Sequence, residues 1–134
     1  VRNGSKNGMV YSSATHDDDY AMHAPSPSID LSLMRLAGLL AASAPQDGTF
    51  ATCIPGVHAV RAANDSAELV HGLHRPALCI VAQGAKTVML GNESYDYDTS
   101  RMLIFSLDLP IAAMIRQVSV AAPYLSFRFV FYLV

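Results

Sequence analysis

The spacing of apolar and polar positions changes character twice along the chain. Residues 1–28, VRNGSKNGMVYSSATHDDDYAMHAPSPS, carry no apolar period of either kind. A stretch so polar has little apolar surface to offset the entropy of ordering, so it is expected to be a flexible leader that ends in a Pro/Ser hinge at 25–28. Residues 1–8 read either as an appended, non-native segment or as an upstream extension before Met9. Over residues 30–44 the pattern becomes helical. Leu33, Leu36, Ala37, Leu40 and Ala41 recur at that spacing, Ser28 or Asp30 is available as N-cap, and Pro45 and Gly48 supply the stop. With little charge to solvate it, this helix is expected to dock through its leucine face.

After Gly48 the period falls to two. TFATCI (49–54) and VHAVRAA (57–63) read as strands around the Pro55-Gly56 turn. ALCIVA (77–82), AKTVML (85–90), ESYDY (93–97) and RMLIFS (101–106) form a meander broken at Gln83-Gly84, Gly91-Asn92 and Asp98-Thr99-Ser100. PIAAMIRQV (110–118) starts at a proline, which a strand tolerates at its first residue. In the last segment, YLSFRFVFYLV, Leu125, Phe127, Phe129 and Phe131 share one face while Ser126, Arg128, Val130 and Tyr132 share the other, so one face is expected to be core. Seven or eight strands after one helix point to a mainly β domain, an antiparallel sandwich or barrel.

Length and composition narrow the picture further. At 134 residues there is room for one domain of normal size. The formal net charge is -2 and no Lys/Arg cluster occurs, so the positive field that phosphate neutralisation requires is missing and DNA or RNA binding by this chain alone is not expected. No run approaches the ~20 apolar residues of a membrane span. The two cysteines, Cys53 and Cys79, each sit in an apolar stretch, which suits reduced, buried thiols in a cytoplasmic protein better than a disulfide framework.

Candidate chemistry is sparse. Gly84 stands alone and a strand follows it, so it is no phosphate cradle. Neither cysteine has the electropositive or helix-N-terminal setting of a nucleophile. His71 and His74 in HGLHRP have a metal-like spacing but lack further ligands, and read as surface or turn histidines. His16, Asp17, Asp18 and Asp19 read as a solvated acidic run. Asp96 and Asp98 alternate with Tyr95 and Tyr97; they could pair as acid and base, yet the commoner reading is exposed acids on a hairpin. Lys86, Arg101 and Arg128 are charges embedded in apolar strands. The first expectation is a solvent-facing edge; the other is an inward cation meeting an anion, with Arg128 the best candidate.

Residues 75–129 as a block resemble the N-terminal, effector-sensing domain of AraC-type transcriptional regulators. The resemblance rests on P-x-L-C-I-V-A-Q-G-A-K (76–86), L-G-x-x-x-Y-x-Y (90–97), S-x-D-L-P (106–110) and A-P-Y-L (122–125), with T-x-I-P-G (52–56) followed by Arg61 upstream. With the preceding helix it spans roughly residues 30–130. It implies a cupin-like double-stranded β-helix, a jelly-roll barrel with one N-terminal α-helix, as a regulatory domain over 29–134. It also implies a small-molecule effector, a homodimer in the parent protein, no cofactor, and DNA contact only through a C-terminal region with two helix-turn-helix motifs that this chain, stopping at Val134, does not contain. In such a barrel a bulge beside Gly84 would bend one strand and aim Gln83 or Lys86 at the mouth.

On that footing Cys79, Gln83, Lys86, Tyr95, Met102, Asp108, Tyr124 and Arg128 are candidate lining residues of a ligand pocket, with Arg128 or Lys86 meeting an anionic effector. The opposing expectation is a filled barrel in which Met89, Met102 and Met114 plug the gaps. The metal motif of the cupins, two histidines one residue apart with a later glutamate and histidine, is absent from 49–134, which argues against the rival reading of a small metal-dependent cupin enzyme, an isomerase or dioxygenase. A third reading is a purely structural dimerisation module, joined through the helix or an exposed strand.

Overall fold

In the computed structural model the described residues are 3–6, 9–13, 27–64, 70–116 and 118–131, with side chains described from residue 31 onward within those spans. The acidic run at 16–19, Pro25 and Tyr132 lie outside them. One helix, α1 (Pro27–Ser43), accompanies eleven strands: β1 (Asn3–Lys6), β2 (Met9–Ser13), β3 (Gly48–Ala51), β4 (Val57–Ala62), β5 (Val70–His74), β6 (Ala77–Gln83), β7 (Ala85–Leu90), β8 (Glu93–Tyr97), β9 (Arg101–Phe105), β10 (Leu109–Arg116) and β11 (Tyr124–Val130). Every pairing is antiparallel. Seven strands form one sheet in the order β1-β2-β9-β6-β11-β4-β3, and four form a second in the order β5-β10-β7-β8. The fold is mainly β, and no helix among the described residues is long and apolar enough to cross a membrane.

The two sheets share a core. Ala77, Cys79, Val81, Leu103, Phe105 and Tyr124 project from the larger sheet onto Val88, Tyr97, Leu109 and Ile111 of the smaller. A second core lies on the outer face of the larger sheet, where Leu40 and Ala44, at and just beyond the end of α1, pack with Ala59, Ala82 and Leu125, flanked by Leu36, Ala37, Phe50 and Phe127. β11 therefore serves both: Leu125 and Phe127 lie under α1, while Tyr124, Ser126 and Arg128 face the other sheet. The expectation of one core face on this strand is corrected, because a strand covered by a helix on one side and a sheet on the other has no solvent face.

Other differences have local causes. The helix begins at Pro27, so the expected hinge partly becomes helix, and Ser28 and Asp30 fall in its first turn instead of capping it; proline's fixed φ suits the first helical position. Ala41 is exposed, while Ala44 is fully buried. Arg61 donates from Nη1 to the carbonyls of Ala44 and Pro45 at 3.3 and 3.1 Å, satisfying acceptors where the helix ends. Asp47 in turn accepts from the Ala63 amide at 3.2 Å. Within the stretch read as a leader, β1 and β2 pair with each other and β2 pairs with β9. Edge pairing uses backbone groups and leaves no apolar period to read. β5, read as a histidine-bearing loop, is an edge strand on β10.

β3 ends at Ala51, two residues before Cys53, which is exposed and not buried as expected. The chain turns here because Thr52 Oγ1 donates to the Val57 carbonyl at 2.9 Å and accepts from the Ile54 amide at 3.2 Å. Gly56 completes the turn at φ 81, and a Cβ there would sit 3.3 Å from the Val130 carbonyl. At the other end of the sheet Gly84 has φ 85, and its Cβ would meet the Tyr124 Cα at 3.3 Å and Val118 at 3.2 Å. Beside it the β6–β11 register shifts between Leu125 and Ser126, and Gln83 Nε2 donates to the Pro123 carbonyl at 2.8 Å. The extra residue of this bulge is Ala82, and the Gln83-Gly84 break follows it, where glycine lets Tyr124 approach closely.

Gly56→Ala and Gly84→Ala are each expected to lower stability by about 1–3 kcal/mol, since positive φ and close backbone oppose any side chain. Gly72→Ala, where an added Cβ meets nothing within 4 Å, should stay within about 0.5 kcal/mol of the parent. Urea midpoints of the three variants check the ranking.

Candidate functional site

The alternation of β11 places Ser126 and Arg128 on the face turned to the smaller sheet. Opposite them, β7 contributes Lys86 and Val88, β8 Tyr97, β10 Ile111 and β5 His74. Cys79 of β6 is paired with Arg128 in register and Phe105 of β9 lies beyond it. Together with Thr49 and Val60 these side chains surround a cavity of about 150 Å³ between the sheets. Its wall is mixed: an apolar set from valine, isoleucine and phenylalanine, several neutral polar groups, and two cations.

Among the described residues no acidic side chain faces these cations. Arg128 Nε is shielded from solvent with no hydrogen-bond partner, and so is Nδ1 of His58, its register neighbour on β4. Nitrogens in this condition are rare in folded proteins and mark either strain or a missing partner. The neighbouring groups respond to the same field. His74 is pushed down from the ordinary 6.5 to about 4, first by burial and then by the charges of Lys86 and Arg128. Burial raises the Cys79 thiol above its ordinary range, against the opposing pull of the same two cations. Tyr97 is raised well above its ordinary value by burial and by Tyr124, whose hydroxyl lies 3.5 Å from its own. His74, Cys79 and Tyr97 are therefore neutral at pH 7, and positive charge dominates the wall.

Of the candidates read from the sequence, Cys79, Lys86 and Arg128 meet at this cavity. Tyr124 is fully buried and reaches it only through Tyr97. The remaining four are elsewhere. Gln83 is spent on the Pro123 carbonyl. Tyr95 donates to the Glu93 carboxylate through a short hydrogen bond, and Met102 is exposed on the far side of β9, paired with Ile80. Asp108 is exposed in an open groove of about 430 Å³ with Arg75, Ser106 and Leu107. The barrel reading named these four as possible lining residues; Tyr95 does share the face of Val88 and packs on the core between the sheets, but its hydroxyl is turned to Glu93 and not to the cavity.

Two expectations about charge are corrected. Lys86 and Arg128 do not lie on a solvent-facing edge, because β7 and β11 are interior strands of their sheets. His74 is not a surface histidine: it is half-buried, lines the cavity and sets its ring 5.4 Å from that of Phe105 in a tilted contact, whereas His71 is exposed. Met89, Met102 and Met114 do not line the cavity, so they do not fill it. The acids of the β8 hairpin are held locally. Asp96 accepts from Thr87 Oγ1 at 2.5 Å. Burial alone would raise Asp98, yet hydrogen bonds from Ser100 and the nearby Arg101 lower it. Thr49, Val60, Tyr97 and Ser126 were missed. Ser126 shares its face with Arg128, and that alternation was the available signal. Among the described residues no three His, Cys, Asp or Glu side chains cluster as ligands for a metal ion.

A family model described as AraC-type transcriptional regulator N-terminus matches residues 53–133. The chain belongs to this family. No curated protein and no solved structure matches it. The AraC-type match takes in β4 to β11, hence most of the cavity wall, and leaves α1 and β3 outside. Motifs within the matched span have structural roles in this chain: P-G in the tight turn at 55–56, Q-G in the break just after the Ala82 bulge, and Tyr97 and Tyr124 in the packed tyrosine pair between the sheets.

The His74 shift gives a pH dependence of stability. The unfolded chain takes up this proton near pH 6.5 and the folded chain only near pH 4, so stability present above pH 6.5 is lost as pH falls toward 4. After allowance for solvent screening the loss is on the order of 1–2 kcal/mol. Denaturant titrations at pH 7 and pH 4.5 should show it, and His74→Gln should shrink the difference.

Proposed function

We propose that this AraC-type domain is an effector sensor with a cupin-like, jelly-roll arrangement of its two sheets, binding a small molecule in the barrel interior. The observation that carries the reading is the cavity between the sheets, walled by polar and charged side chains beside Val60, Val88, Phe105 and Ile111, with an orphaned donor on Arg128; convergent polar groups next to apolar ones suit a small-molecule site. A ligand shifts an equilibrium only by its difference in affinity between states. Effector occupancy therefore acts by favouring one arrangement of a DNA-binding region attached in the parent protein. The reading places the domain in the cytoplasm, in keeping with two free cysteines.

Ligand screening by thermal shift checks this directly. A compound that fits is expected to raise the melting temperature by several degrees at about 100 times its dissociation constant. Val60→Phe, which fills the cavity from a half-buried position, should abolish that shift while circular dichroism shows the fold retained. A shift that survives the filled cavity sinks the reading.

The same reading makes the parent protein a homodimer. In its support, α1 exposes Leu31, Met34 and Leu39 at 58, 70 and 68% on the side away from the sheet, an apolar face that a second copy of the helix would cover. Sedimentation across a concentration series should show self-association that Met34→Glu weakens at least tenfold; a strict monomer overturns it.

A further inference from the structure

Resting on the sensor reading, we propose that the cavity takes a small organic monocarboxylate, its charged end between Lys86 and Arg128 and its apolar remainder against Val60, Val88, Phe105 and Ile111. The argument begins with charge. Lys86 comes from the smaller sheet and Arg128 from the larger, and both line one partly enclosed space. Among the described residues no carboxylate lines that space. Every acidic side chain that is described has another place: Asp47 against Arg61 and the Ala63 amide, Glu93 with Tyr95, Asp96 with Thr87, Asp98 with Ser100, and Asp108 exposed in the outer groove. A buried cation without a partner is costly, and an anion with planar oxygens is the partner that a guanidinium fits best.

Size and polarity then choose among anions. A cavity of about 150 Å³ is larger than a monatomic or simple oxyanion needs, and a dry cavity of about that volume accommodates a benzene ring. Val60, Val88, Phe105 and Ile111 also line the cavity, so an inorganic anion would leave them uncovered, whereas an aromatic or short aliphatic acid of roughly six to nine non-hydrogen atoms meets both kinds of group. Thr49, Tyr97 and Ser126 add neutral polar groups to the wall. The lowered affinity of His74 for protons agrees with the positive field but is secondary to this geometry.

Calorimetric titration of the 134-residue chain with benzoate and hexanoate, against benzamide and hexanamide, tests the proposal without any variant. Saturable binding of an acid at least tenfold tighter than its amide is expected, and Lys86→Gln and Arg128→Gln should each weaken it at least tenfold. Binding should also raise the His74 titration midpoint, read from its imidazole proton shifts, because the ligand neutralises the cations that depress it. Equal affinity for acid and amide overturns the proposal while leaving the sensor reading intact, and so does binding of inorganic phosphate or sulfate with no binding of the organic acids. Failure of all these probes also overturns it, and the sensor reading then stands or falls on the Val60→Phe comparison with a neutral compound.

Discussion

The two-sided burial of β11 fixes the rest of the molecule. Tyr124, Leu125 and Ser126 are all buried although they alternate in direction, so each face of the strand belongs to a different core. Leu125 and Phe127 seat the helix, while Ser126 and Arg128 complete the cavity. Because side chains repeat every two residues, a slip of one place would carry Arg128 under the leucines of α1 and push Leu125 into the polar space. Both errors would bury a mismatched group, which makes this register strongly specified.

The bulge before Gly84 works beside that constraint. Its extra residue, Ala82, shifts the β6–β11 register between Leu125 and Ser126, and Gln83 is tied to the Pro123 carbonyl. Gly84 admits Tyr124 so closely that no other residue fits without displacement. The Gly56 turn plays the corresponding part at the far end of the strand, where the Val130 amide donates to the Gly56 carbonyl at 2.9 Å. With both ends held, the position of Arg128 in the wall follows.

Functionally, the contrast between the cavity and the rest of the molecule matters more than any single residue. Other described charges have partners close by, as Arg61 has Asp47 and Asp98 has Ser100. Between the sheets, two cations stand with neutral histidine, cysteine and tyrosine groups around them. Burial and the two cations keep His74 neutral, and burial keeps the Cys79 thiol and the Tyr97 hydroxyl protonated. The proposed ligand recognition rests on that wall, and the AraC-type regulator family is the setting in which it is proposed.

The sequence by itself determined the helix, the period-two strands after Gly48, the turns at Pro55-Gly56, Gln83-Gly84 and Gly91-Asn92, and the family. These are local signals: side-chain periodicity and backbone freedom are written residue by residue. It also singled out Lys86 and Arg128 as charges out of place in apolar strands, though it favoured the wrong side for them. Only the tertiary structure decided which side was right, because a face is inward or outward according to what covers it, and the cover comes from strands far away in the chain. The same holds for β5 and the β1–β2 pair, whose strand character comes from backbone partners in β10 and β9. It holds for His74 as well, which is an ordinary imidazole in the sequence and a depressed base only once two distant cations and a phenylalanine ring have closed around it.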